Sequence, residues 1–576
     1  MNRLFVWLTA VVLLSVNVAS DARVLTREFL LGTDQLSSPL SMSEFTPPSS
    51  GVAAPAKFEG WLRLSREKSL GALKVHRDVF GAARKSRGAI GHLPQLDFEF
   101  VQDGDVIIPV RRGHVQSDDA YWEFIVEPGV AWRESGDDGM SRTALPFALQ
   151  ERNANCVHNG VLTFLFDERS VSRVAYQIGS ETCAYFQADF WGVLPASAVR
   201  FMPEEREAVV AAFRREVAAR LPVKPIEALG SDFPGANAGR FGSRDEIAPA
   251  DMTAFGFVID GVHYTGGCAT RYGPYPFCDV LDLPSYSLAK TIVAGFAALR
   301  LERLYSGTLQ RQISAYVPEC SQRHEWQSVT FGDALDMATG NFTDPAYEVD
   351  ESAPATIDFF LVEDHAAKIH MACGQHDRRA TPGTKWVYHT TDTYILGSAL
   401  SAYVRDRVGE GADFYDDILV RGLWQPLQLS PLMSTTRRTR DGRRQPFTGW
   451  GLIFHRDDIA RIGQFLTRDR GRLNGTAFFD ANALEAAMQR NPADTGLPAI
   501  DASFRYNNGF WAHDISRYLG CANPVWVPYM AGYGGINVLL FPNNTVYYYF
   551  SDGGTFRWSG AALESNRIRN MCKAAR

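Results

Sequence analysis

The spacing of apolar and polar positions changes character along the chain. From Leu96 to about Leu194, short apolar segments such as FEFVQ, VIIPV, YWEFIVE, VLTFLF and VAYQI are separated by Gly, Asp and Asn, the pattern of strands joined by turns. This predicts a β-rich accessory domain over residues 21–200. Ahead of those strands the periodicity is poor: a Ser/Pro-rich patch from Leu36 to Pro55 reads as loop, and Phe58 to Arg84 as helix. Beyond them, Pro203-Glu204-Glu205 supplies a first turn, and Val209, Val210, Phe213, Val217 and Leu221 recur at helical spacing. Pro and Gly then dominate from Pro222 to Asp251, which predicts a linker. Residues 201–250 are thus expected to be helix and linker, with a second domain over 251–576.

The second region opens with TAFGFVIDGVHYTGG, two short strands around an Asp260-Gly261 turn. Next comes Pro284-Ser285-Tyr286-Ser287-Leu288-Ala289-Lys290, where Leu288, Ile292, Phe296 and Leu299, with Ala289, Val293 and Leu301, make a helix apolar almost all round. Such a helix belongs inside a large core. FGDALDMATGNF reads as a helix stopped by Gly340, Tyr394 to Val404 as another, and DDIARIGQFLTRD as an amphipathic third. The end is strand-like: GYGGINVLLFP, a turn at Asn543-Asn544, then TVYYYFSDGG. Strands at both ends with helices between them predict an α+β fold in which one sheet is made from the two termini and covered by helices.

Composition narrows the partners. The 576 residues carry a net charge of −7 with a pI near 6.0, leaving no basic stripe to draw nucleic acid or anionic lipid. Met1-Asn2-Arg3, the apolar LFVWLTAVVLLSV and the small residues of Val18-Ala19-Ser20 have the form of a secretory signal peptide over residues 1–20, and no later apolar run is long enough to span a membrane. The expected location is secreted or periplasmic. All eight cysteines lie beyond that segment, an even set that fits disulfides in an oxidising compartment. Pairing each with its chain neighbour, Cys156–Cys183 first, keeps every bridge within one region. No CxxC is present, and His365, His370 and His376 lack the spacing of a helix-face ligand set, so neither a metal nor another cofactor is expected.

Ser287 and Lys290 stand one helical turn apart, so the hydroxyl and the amine lie on one face. A serine needs a neighbouring base to become a nucleophile, and a lysine desolvated by apolar neighbours loses basicity enough to serve. A helix-capping serine and a snorkelling lysine explain the same pair without catalysis. Ser65-Arg66-Glu67-Lys68 has that spacing too, but among charged residues it reads as a solvated face.

What separates the two is the order of later landmarks. Ser287-x-x-Lys290, VTFGDALDMATGNF, PGTKWVYHTTDTYILG, DDIARIGQFL and GYGGINVLLFP follow one another in a sequence that resembles the serine β-lactamase/penicillin-binding-protein superfamily. Over roughly residues 250 to 576 the likeness is to its class C β-lactamase-like branch of D,D-peptidases and esterases. The resemblance implies a β-lactamase/transpeptidase-like domain, an antiparallel sheet flanked by helices with a helical subdomain. It makes Ser287 the acylated nucleophile, Lys290 its proton partner, and Tyr388 a general base whose pKa a nearby ammonium would lower. Strand alternation would turn the neighbouring His389 away.

The third family motif falls at Tyr533-Gly534-Gly535, with the Ile536 N–H joining that of Ser287 as an oxyanion hole. Two departures bear on the substrate. Thr390 stands where the family often has Asn, and Tyr533 replaces the cation that meets a substrate carboxylate, an interaction worth about 1.5–3 kcal/mol. Neutral small-molecule or peptide esters and amides are therefore the expected substrates. There is no G-x-S-x-G elbow and no phosphate-cradling loop. The expectation is a secreted serine hydrolase working through an acyl-enzyme; the alternative is a non-catalytic module that keeps the fold to bind a ligand or peptidoglycan.

Overall fold

The computed structural model describes residues 23–64, 70–86 and 89–574. The signal-peptide segment and Ser65–Lys68 lie outside the described residues.

Strands between Val52 and Arg200 form one twelve-stranded sheet. The helix expected over Phe58–Arg84 is replaced by strands at Gly60–Leu64 and Leu70–Asp78. In the first, burial alternates so that Leu62 and Leu64 face the core, a period of two that wins over the helical spacing. A helix at Arg206–Ala219 follows.

The second sheet has nine strands. In chain order these are β1 (Val223–Pro225), β2 (Met252–Ile259), β3 (Val262–Gly267), β4 (Leu497–Pro498), β5 (Phe504–Asn507), β6 (Phe510–Asp514), β7 (Trp526–Gly532), β8 (Ile536–Leu540) and β9 (Val546–Ser551). Their spatial order is β1-β3-β2-β9-β8-β7-β6-β5-β4. The antiparallel pairing of β2 with β9 joins strands from opposite ends of this region, giving the expected α+β layout.

The Pro/Gly-rich stretch after Leu221 is not a free tether: β1 pairs in parallel with β3, and Ile226, Leu229, Phe241 and Ile247 are buried on one face of the sheet. Its apolar residues are too sparse for a periodic signal, yet these four are all buried. On the other face lie the helices α1 (Phe296–Leu304), α2 (Thr390–Val408) and α3 (Arg456–Thr467), with a further helix α4 (Ser559–Ile568) against the first face.

The helical layer and the twelve-stranded sheet share one core: Trp132, Leu165 and Val193 of the sheet belong to the same buried cluster as Leu283, Leu288 and Ile292. The disulfides are Cys156–Cys183, Cys268–Cys278, Cys320–Cys373 and Cys521–Cys572, the chain-neighbour pairing expected. Among the described residues no helix is long and apolar enough to cross a membrane.

Candidate active site

Leu283–Pro284 pairs with Ile453–Phe454, after which the chain makes a tight turn through Tyr286, whose φ of 41° is uncommon for a side chain of that size. The turn is clamped by Asn155, a residue of the twelve-stranded sheet region that sequence reasoning passed over. Its Oδ1 accepts from Ser285 Oγ at 3.0 Å, from the Tyr286 N–H at 2.7 Å and from the Gly451 N–H at 3.0 Å, while its Nδ2 donates to Leu452 O at 3.2 Å. Sequence offered no signal for this role, since Asn155 sits in an ordinary-looking Asn-Ala-Asn turn between strands.

Ser287 closes the turn and the helix proceeds from Leu288, passing through a π-helical stretch at Lys290–Gly295 before α1. The Lys290 N–H donates to Ser287 O at 3.0 Å, so the two side chains share a face as their spacing requires. Lys290 is 2% exposed. Its Nζ lies 2.9 Å from Ser287 Oγ and 2.7 Å from Thr390 Oγ1, and 4.8 Å from the centre of the Tyr388 ring. Burial lowers its pKa to about 8, a shift the carboxylate of Glu351 partly opposes.

Tyr388 is buried and its phenol is hydrogen-bonded to Ser287. The expected lowering of its pKa does not occur. Burial, with Glu351 and Tyr347 adding repulsion, holds it well above the ordinary value, so the phenol is protonated in the resting site. Of the two groups, it is Lys290 whose pKa is brought toward neutrality. Thr390 opens α2, where its hydroxyl accepts from Lys290 and donates to Glu351, and its N–H donates to Glu351 Oε2 at 2.8 Å. Glu351 is thus a member of the cluster that no motif in the sequence marked.

The structure gathers Ser287, Lys290, Tyr388 and Thr390 into one contact network. The third motif is arranged differently from expectation. Tyr533, Gly534 and Gly535 form the turn between β7 and β8 rather than a strand, both glycines having positive φ. A Cβ on Gly535 would come within 2.6 Å of Ser551 Oγ, whereas one on Gly532 would come within 2.9 Å of Ser285 O and 3.0 Å of Leu288 Cδ1. Gly532 is therefore the glycine against the Ser285–Ser287 turn. Ile536 is buried and opposes Gly532 across the hairpin. Strand β6 pairs β7 only as far as Tyr529, so Met530 to Tyr533 have no strand partner on that side. The Tyr533 ring is half exposed and packs on Tyr286 and on Tyr185 of the first sheet, at 5.8 and 6.4 Å between centroids.

His389 turns away from Tyr388, as expected, though it precedes a helix rather than lying in a strand. Its Nε2 meets Asp350 at 3.1 Å and its ring stacks on His376. Burial disfavours its cation, but bonds to Asp350 and Asp392 outweigh this and raise its pKa to about 9. Asp350, His376 and His389 lie close enough together to share one cation, while His365 and His370 belong to a separate helix, His365–Gly374.

No protein-family model and no curated protein matches the chain. Among solved structures, a protein assigned as a 6-aminohexanoate-dimer hydrolase from Bacillus anthracis is similar over 61% of this chain and 81% of its own, at 18% identity and a TM-score of 0.42. A family VIII carboxylesterase is similar over 63% of this chain and 97% of its own, at 17% identity and a TM-score of 0.41. A class C β-lactamase variant is similar over 62% and 96%, at 12% identity and a TM-score of 0.40.

Proposed function

We propose that the protein is a serine hydrolase that cleaves esters or amides without a carboxylate beside the reacting bond, through an acyl-enzyme on Ser287. Neutral Lys290 takes the Ser287 proton as Oγ bonds to the substrate carbonyl carbon. The Tyr388 phenol, bonded to the same hydroxyl, gives its proton to the departing oxygen or nitrogen as its bond to carbon breaks, and takes up in return the proton held by Lys290. Water then attacks the acyl carbon, its proton passing to Lys290, which returns it to Ser287 Oγ as the bond from Oγ to the acyl carbon breaks. The N–H of Ser287 and a donor from the unpaired end of β7 hold the oxyanion, a role better suited to that segment than to Ile536, which is committed to the hairpin. Tyr533, in place of a cation, favours substrates without a carboxylate at that end.

One observation carries this reading: a buried lysine nitrogen 2.9 Å from a serine hydroxyl that a tyrosine also binds. Four disulfides support a secreted or periplasmic location. The chain is proposed to comprise a β-rich part over residues 21–200, an intervening 201–250, and the hydrolase part over 251–576. The test is mass spectrometry of the protein after exposure to a fluorophosphonate or a penicillin. An adduct on Ser287 is expected; an unlabelled Ser287 beside a labelled control hydrolase would overturn the reading and favour a binding module.

A further inference from the structure

A chain of packed aromatic rings joins Tyr388 to the wall of a second cavity. Tyr347 and Trp511 both pack on Tyr388, with centroids 6.0 and 5.8 Å away. Trp511 continues to Tyr529 at 6.0 Å, and Tyr529 to Trp558 at 6.2 Å. These four rings other than Tyr388 line a cavity of about 780 Å³, a volume within the range of small-molecule sites.

Carboxylates outnumber cations among the charged groups of the cavity wall, which also holds the His513 imidazole. Glu348, which bonds to the Tyr347 hydroxyl, and Asp245 stand there against a single guanidinium, that of Arg557. A third carboxylate, Glu246, is already engaged at the start of α4, accepting from Ser559 Oγ and the Gly560 N–H. Asn537, fully buried, lines the same cavity, and its Oδ1 has no hydrogen-bond partner. The amide's orientation is fixed by the network: the Tyr549 hydroxyl donates to Thr555 O at 3.3 Å and so accepts from Asn537 Nδ2, 2.6 Å away. The oxygen therefore awaits a donor, and a buried acceptor left unpaired is costly. Ring faces attract cations, carboxylates attract cations, and the orphaned amide oxygen accepts an N–H.

We propose that this cavity is a subsite for a protonated amine carried by the substrate, so that the preferred esters or amides bear an ammonium group on the portion reaching past Tyr388. The proposal rests on Ser287 being the nucleophile. Three nitrophenyl esters of matched shape test it, those of 4-(aminomethyl)benzoate, 4-ethylbenzoate and 4-(carboxymethyl)benzoate, with benzylamine as a competing probe. The ammonium ester is expected to exceed the neutral one in kcat/KM by about tenfold, a value within the reach of a desolvated cation–ring contact. The carboxylate ester should fall below both, and the preference should shrink with added salt. Glu348→Gln and Asn537→Leu should each reduce the ammonium-to-neutral ratio, and benzylamine should quench tryptophan fluorescence in the parent more strongly than in Trp511→Leu. Should Asn537→Leu fail to fold, the exposed Glu348→Gln carries the comparison. Equal kcat/KM for all three esters, with Ser287 labelled by fluorophosphonate, overturns the subsite and leaves the hydrolase reading intact. An unlabelled Ser287 overturns the hydrolase reading instead, and benzylamine binding then decides the cavity alone: no binding overturns it as well.

Discussion

Replacing Asn155 tests whether the first sheet holds the nucleophile in place. In Asn155→Ala the N–H groups of Tyr286 and Gly451 lose their acceptor, as does Ser285 Oγ, and Leu452 O loses a donor. An orphaned buried polar group costs about 1–3 kcal/mol, so the two backbone donors alone imply a destabilisation of about 2–6 kcal/mol. That is a large part of the total stability of an ordinary domain, about 5–15 kcal/mol. Tyr286 adds a local term, because its left-handed backbone persists only while its surroundings enforce it. Once the clamp is gone the turn relaxes, and Ser287 moves relative to Lys290. A displacement of about 1 Å costs on the order of 10²-fold in rate when geometry is what the site supplies.

The assay pairs urea denaturation with the rate of fluorophosphonate labelling and with kcat and KM for a small neutral ester. Labelling rate and kcat should fall together by about 10²-fold while KM changes far less, since loss of positioning acts on the reacting atoms. Asn155→Asp keeps an acceptor for the three donors but sets an oxygen against Leu452 O, and should lie between the parent and Asn155→Ala. An Asn155→Ala protein that unfolds within about 0.5 kcal/mol of the parent and is labelled at the parental rate would refute the reasoning, since changes of that size are what featureless surface sites give.

The pH dependence follows from Lys290. Its pKa, near 8 where an exposed lysine titrates near 10.5, means that the neutral base predominates above about pH 8, so kcat/KM should fall tenfold per pH unit below it; a profile flat from pH 6 to 9 would exclude Lys290 as the base. Glu351 raises that pKa, so Glu351→Gln should move the acid limb to lower pH, and a shift upward would contradict its assigned position. Tyr388→Phe should lower kcat by about 10²–10⁴-fold, the usual weight of a proton-transfer group, while the Lys290 limb persists in the profile. Removing the Cys156–Cys183 bridge, whose partners are 27 residues apart, should cost about 3.5 kcal/mol by loop-closure entropy, measured by denaturant unfolding of the double alanine variant.

Several of these features were legible in the chain itself. Short apolar segments set off by Gly, Asp and Asn marked the strands from Leu96 onward, and an all-round apolar run marked the helix after Ser287, because buried elements must be apolar wherever they meet the core. The same run explains why Lys290 titrates low: a lysine flanked by Leu288, Ala289 and Ile292 cannot keep its water. Disulfide pairing followed from proximity along the chain. Phe58–Arg84 was misread because a short stretch carries both periods and only a partner strand chooses between them. The tract after Leu221 was misread because its apolar residues have no period at all.

What the tertiary structure alone decided are contacts between residues far apart in the chain. Asn155 reaches the Ser285–Tyr286 turn from another sheet, Glu351 reaches Lys290 through Thr390, and Gly532 rather than Gly534 or Gly535 lies against Ser285. The state of Tyr388 belongs with these. The resemblance implies that the Lys290 ammonium lowers its pKa, but the fold buries the ring and sets Glu351 and Tyr347 beside it. Local sequence determines which side chains share a face, whereas solvation and the sum of nearby charges depend on every element packed around them.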